Sequence, residues 1–221
     1  PSQWELRRTM STALAPEPVS APATRRPEKT EKILDAAGLL FCEQGYGAVS
    51  MDQIARDAGV SKATVYAHFE SKERLFAAIV EHGCTTYLEG TVPAVQQLDD
   101  MREALTRIAR SIENFLLAPK TLGIYRVIIA ESPRFPELAE AFVQNGPLPF
   151  LKVLCEFFEC ANKRGLLNVP NVRLAAHQLV WLVRGPLYMR RILNLSLPNE
   201  PSVDDVVEGA VEMMMKTYGP K

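Results

Sequence analysis

Lys62, Ala63, Thr64, Tyr66, His68 and Lys72 fall within one short stretch of the chain. Together they offer two cations, a methyl group, a hydroxyl, a phenol and an imidazole. This is the chemistry of a surface that meets nucleic acid. Lys62 can donate to a guanine edge, Ala63 can meet a thymine methyl, and Thr64 can serve base or phosphate. Tyr66, His68 and Lys72 suit phosphates, which set register rather than sequence. For Tyr66 and His68 the competing reading is packing between short helices.

A second group of polar and aromatic residues sits inside apolar runs. Tyr125, Arg126 and Glu131 share one run; His177, Trp181, Arg184 and Tyr188 recur at helical spacing along another. Trp181 and Tyr188 suit an aromatic or otherwise apolar ligand, with Arg126, Arg184 or Glu131 orienting its polar end. The alternative is a buried ion pair, Arg126 or Arg184 with Glu131, that ties helices together without a ligand. His177 and Trp181 fit a pocket or an interface equally well. No G-x-S-x-G, P-loop or H-E-x-x-H occurs, and His68, His82 and His177 are scattered. No catalytic residue, metal site or cofactor is therefore expected. Cys42, Cys84, Cys155 and Cys160 form no C-x-x-C pair and read as small apolar residues of a reduced protein.

Helices must position these groups. Ser50 is a good N-cap, and Gln53 three residues on completes a capping-box pattern. Ile54, Ala55 and Ala58 give that helix an inward face, and Gly59 supplies a left-handed stop. Ser61 caps a second helix in which Val65 and Phe69, four apart, share the buried side. Lys62, Ala63, Thr64, Tyr66 and His68 are left facing outward. The pattern is a helix-turn-helix. Before it, Thr30 is expected to cap a helix to about Gln44 with Ile33, Leu34, Ala37, Leu40 and Phe41 inside. After it, Ser71 opens a helix to about Glu89, interrupted by Pro93.

The rest of the 221-residue chain also reads as helical, with no strand-like alternation and no internal repeat. Segments are expected at Asp100 to Leu116, Leu122 to Glu131, Leu138 to Val143, Phe150 to Arg164, Val172 to Leu193 and from Ser202 onward. The fold class is thus all-α. A three-helix bundle with the helix-turn-helix, residues 29–75, precedes a larger helical domain, residues 90–221. Residues 1–28, rich in Pro, Ala, Ser and Thr, read as a flexible arm; Arg25, Arg26 and Lys29, just before the first helix, face solvent or touch DNA. The net charge of −1 means that nucleic-acid binding must come from a local patch. Even from Thr24 to Leu75 the basic and acidic residues balance, eight against eight. No apolar run is long enough to span a membrane and no signal peptide opens the chain, so the expected location is the cytoplasm.

Residues 30–89 resemble the DNA-binding end of the TetR family of transcriptional regulators. The likeness rests on Ile33-Leu34-Asp35-Ala36-Ala37, Phe41, Gly45-Tyr46, Ile54-Ala55, Ala58-Gly59-Val60-Ser61, Thr64-Val65-Tyr66, His68-Phe69, Ser71-Lys72 and Leu75. Ile124 to Glu131 with Pro133-Arg134-Phe135-Pro136 is similar to a segment of many members, including efflux-pump repressors. The resemblance implies that Tyr66, His68 and Lys72 hold phosphates and that Ser50 adds a contact at a helix N-terminus. It further implies a homodimer on a near-palindromic operator in double-stranded DNA, released by a small apolar or amphipathic effector. The competing reading is an activator or a partner-recruiting DNA-binding protein without a small ligand.

Overall fold

The computed structural model describes residues 28–196 and 198–220. The arm assigned to residues 1–28 lies outside these, apart from Glu28. Among the described residues there are ten helices and no strand: α1 (Glu28–Gln44), α2 (Met51–Asp57), α3 (Lys62–His68), α4 (Lys72–Val95), α5 (Met101–Leu117), α6 (Pro119–Glu131), α7 (Pro136–Asn145), α8 (Pro147–Lys163), α9 (Val172–Ile192) and α10 (Val203–Tyr218).

Local rules set most of the boundaries. Ser50, Ser61, Ser71, Asp100, Asn171 and Ser202 each cap a helix, the side chain accepting the N–H three residues on. Pro119, Pro136 and Pro147 occupy first-turn positions, where a missing N–H costs nothing. Sequence and structure differ here in emphasis. Pro119, Pro136 and Pro147 start helices as well as ending the ones before, so α6, α7 and α8 begin earlier than periodicity indicates. The helix after Ser71 also runs through Pro93 to Val95.

Two cores result. In the head, Ile33, Phe41, Tyr46, Ile54, Val65, Leu75 and Phe76 are packed with Ile124, Val127 and Ile128 of α6 and Leu138 of α7. The head is therefore closed by helices far along the chain, not by its own three. The second core joins α5, α8, α9 and α10 around Leu105, Ile108, Leu154, Phe157, Phe158, Leu179 and Val211, and takes Val92 and Val95 from the end of α4. Burying such side chains is worth roughly 1.5–3 kcal/mol each before entropy is counted. Helix α4 spans both cores. Helix α9 breaks at Gly185 (φ 39°, ψ −166°) before Pro186, whose ring and missing N–H prevent a regular turn.

Candidate DNA interface and effector cavity

The helix-turn-helix is built as its sequence requires. Gly59 has φ +66°, and the N–H groups of Gly59 and Val60 donate to the carbonyls of Arg56 and Ala55, closing α2 in a Schellman turn. The capping box forms only in part. Ser50 Oγ accepts the Gln53 N–H at 3.2 Å, but the Gln53 amide donates to Gln44 Oε1 at 2.9 Å instead of turning back. Val65 is fully buried and Phe69 nearly so, which turns Lys62, Ala63, Tyr66 and His68 outward.

Several of these outward groups already have partners. The Lys62 ammonium lies 2.8 Å from Asp52 Oδ1 and 5.8 Å from the Tyr66 ring centre. Thr64 Oγ1 is 2.8 Å from Ser61 Oγ and so belongs to the cap. Thr30, expected as an N-cap, is instead buried inside α1, and its hydroxyl faces His68 Nδ1 at 3.3 Å. Glu28 and Lys29 carry the helix two residues ahead of it.

Lys72 departs most from expectation. Its ammonium donates to the carbonyls of Tyr46 (2.8 Å) and Val49 (3.0 Å) and sits 4.3 Å from the Tyr46 ring centre. Burial lowers its pKa. Here Lys72 is a strut under the α1–α2 loop and is only half exposed. Tyr46 anchors that loop, packed on Phe41, Phe76 and Phe135 with ring centres 5.3–6.0 Å apart across the group.

Between α4, α5, α6, α8 and α9 lies an apolar cavity of about 350 Å³. Tyr125, His177, Trp181, Arg184 and Tyr188, all singled out from sequence, line it. The Arg184 guanidinium lies 4.2 Å from the Tyr188 ring centre and 4.9 Å from those of Tyr125 and Trp181. Burial works against the Arg184 charge, but Tyr188 and Tyr125 outweigh it and the pKa is raised. Burial also raises Tyr188 to about 12 against the pull of Arg184. The other walls are Ile79, Val80 and Cys84 of α4, Ile112, Phe115 and Leu116 of α5, and Phe142, Phe150 and Leu151.

Arg126 and Glu131 do not line this cavity, and neither forms the ion pair considered for them. Arg126 turns away along α6; its Nε donates to the Ile192 carbonyl at 2.7 Å, and its Nη2 donates to that of Arg191, closing the C-terminus of α9. Glu131, one turn further on, reaches the head. A Cβ at Gly45 would stand 2.8 Å from its Oε1 and one at Gly47 3.3 Å from its Oε2, so both glycines are fitted to this carboxylate. Sequence reasoning passed over Phe115, Leu116 and Phe142 as lining because an apolar residue in a helical stripe has no mark that separates core from cavity. Asp52 could have been found, since an acid in the first turn of α2 faces the start of α3 across a short turn. Cys42 is exposed and Cys84 lines the cavity, so only the second behaves as an apolar filler.

A compact helix-turn-helix head, joined by one long helix to a helical domain with an internal cavity, defines a class of DNA-binding transcriptional regulator. Residues 33–79 match the bacterial regulatory proteins of the tetR family, and residues 103–220 match the C-terminal domain of AefR-like transcriptional repressors. The regulator BetI of Rhizobium meliloti (strain 1021) is 32% identical over 138 residues, covering 58% of this chain and 67% of BetI. The activator FasR of Mycolicibacterium smegmatis is 34% identical over 91 residues, 41% of this chain and 42% of FasR, so the match spans less than half of that protein. Among solved structures, the flavonoid-responsive regulator FrrA has a TM-score of 0.69 at 36% identity, covering 87% of this chain and 98% of FrrA. The chain belongs to the TetR family of transcriptional regulators and binds DNA through its helix-turn-helix.

Proposed function

We propose that this regulator is a homodimeric repressor that a small apolar or amphipathic effector releases from its operator. One observation carries the reading: α4 and α6 wall the cavity and also build the head core. Ile79 and Val80 belong to both, as does Ile124. A molecule that fills the cavity therefore presses on the seat of the head. It shifts the equilibrium by the difference in its affinity for the two arrangements. The likeness of residues 103–220 to AefR-like repressors and the effector response in FrrA's name support this reading.

Lys62, Ala63 and Thr64 read the major groove, with Lys62 exchanging Asp52 for a base edge. Ser50, Tyr66 and His68 meet phosphates. Lys72 contributes to that contact by fixing the loop and keeps one N–H beyond its two carbonyl bonds. Dimerisation falls to α9 and α10. Leu174, Trp181 and Met189 are half or more exposed along one side of α9, and Met213 of α10 is as exposed.

In transcription with purified RNA polymerase, adding the protein should reduce transcript from an operator-bearing promoter, and effector should restore it. FasR, an activator, supplies the second reading. Transcript that rises on adding the protein would establish activation in place of repression.

A further inference from the structure

We propose that the cavity is built for an anion: a carboxylate on an apolar, drug-sized body, recognised by Arg184. This rests on the reading that the cavity receives an effector and adds the chemistry of that molecule.

The first argument is charge. Among the described residues, those lining the cavity include Arg184, Lys120 and His177 but no Asp or Glu. A cationic ligand finds nothing there to neutralise it. Lys120 is engaged, its ammonium 2.8 Å from Asp35 Oδ1 on α1. Arg184 is the cation left for a ligand.

The second argument is the state of the Arg184 guanidinium. Its Nε is buried and has no hydrogen-bond partner. Other arginines held against the body find oxygens: Arg126 takes the Ile192 carbonyl, Arg164 takes Asp99, and Arg190 takes Glu200. Aromatic residues surround Arg184 instead: Tyr188 and Tyr125 turn ring and hydroxyl toward its guanidinium, and Nε is left unmet. Rings hold a guanidinium by its faces, whereas its N–H donors lie in its plane, where a carboxylate engages two at once. A buried donor left unmet is costly, so a ligand oxygen that meets it gains more than one that meets a water-exposed Arg. Tyr188, with its pKa pushed up to about 12, stays protonated at neutral pH and supplies a further donor.

The third argument is the remainder of the wall. Val80, Ile112, Phe115, Leu116 and Phe150 leave a hydrocarbon or aromatic body as the only good filling, and about 350 Å³ lies at the small end of ligand sites. A single acid group at one end of such a body satisfies both parts.

The test uses the full-length protein without DNA and calorimetry with two matched series: decanoate, decanamide and decylamine, and 4-phenylbutyrate with its amide and amine. In at least one series the acid should bind roughly ten- to hundredfold more tightly than the amide, with the amine weakest. Arg184→Gln should bring acid and amide to within about threefold, with saturable amide binding and an unchanged circular-dichroism spectrum reporting that the cavity is intact. Arg184→Lys should keep part of the preference, and Lys120→Gln all of it. The proposal fails if amide equals acid in both series, if the preference survives Arg184→Gln or is lost in Lys120→Gln, or if none of the six probes binds saturably. Operator release is measured separately. Acid binding without release would sink the release mechanism and leave this inference standing.

Discussion

At the scale of single residues, a side chain's role here follows from what else is within reach. Lys62 and Asp52 form an exposed pair, and such pairs contribute little to stability. Lys62→Ala should therefore leave the denaturation midpoint essentially unchanged. It should also flatten discrimination at one operator base pair by about 1–3 kcal/mol, read by competition with singly substituted operators. Glu113 is a different case. It is 2% exposed on α5, neither carboxylate oxygen has a hydrogen-bond partner, and burial raises its pKa from 4.5 to about 7 against the pull of Arg110, with Asp204 raising it further. The folded state thus holds a proton that the unfolded state releases. The neutral form's stabilisation is fully present below about pH 4.5 and is lost as pH rises through about 7. Glu113→Gln should accordingly stabilise the protein at pH 8, by up to about 3 kcal/mol, and change it little at pH 4. Urea melts at the two pH values check this, and an unchanged pH dependence in the variant would remove Glu113 as its source. Glu113 was open to discovery in the sequence, standing eight residues after Leu105 and four after Ala109 on the buried side of α5. Arg126 and Glu131 were not. Their partners are a helix end 66 residues away and a loop in the head, and no spacing along one helix encodes either.

At the scale of elements, local and distant information divide differently. Ser50, Gly59, Ser61 and Ser202 mark helix ends because a cap needs only its own next three residues, and the structure uses all four. Thr30 has the right chemistry for a cap, but α1 starts two residues earlier and the hydroxyl serves His68. The Gly185-Pro186 dipeptide is a breaker signal inside a periodic stretch, and it was outweighed by the long apolar stripe around it. The cavity arises where helices fail to fill the space between them, which periodicity does not describe. The contact of α6 with the α1–α2 loop is likewise tertiary, and it can be measured. Gly45 has φ +83°, and an added Cβ would meet Glu131 Oε1. Gly45→Ala should cost roughly 1–2 kcal/mol for the left-handed backbone, plus the contact with Glu131. In a Glu131→Ala background the contact part should vanish, leaving only the backbone part. A double-mutant cycle in chemical denaturation reads the coupling, expected at about 0.5–3 kcal/mol. Strictly additive costs would show that α6 does not bear on the loop.

At the scale of the whole molecule, the balanced charge of the head sets what the rest must supply. Eight basic residues face eight acidic ones from Thr24 to Leu75, so a single head gains little from counterion release and depends on a few directed contacts. Two heads on one rigid body turn the second contact into an intramolecular event, which raises overall affinity about 10²–10⁴-fold over one head. The surface proposed for this pairing is the exposed apolar side of α9 and α10. Tyr218 donates to Gln178, and Val206 approaches Gly185, so the two helices run antiparallel with Met213 level with Trp181. Leu174 and Met213 belong to this face without lining the cavity. The pair of substitutions Leu174→Glu and Met213→Glu should therefore give a monomer in light scattering that keeps its helical circular-dichroism spectrum, because neither side chain packs in the core of a single chain. Operator affinity of that monomer should fall at least about 100-fold. Binding of apolar ligands in the cavity should persist. A variant that stays dimeric would move the interface elsewhere. A monomer that binds the operator as tightly as the parent would show that one head suffices, and the charge-balance argument would then fail.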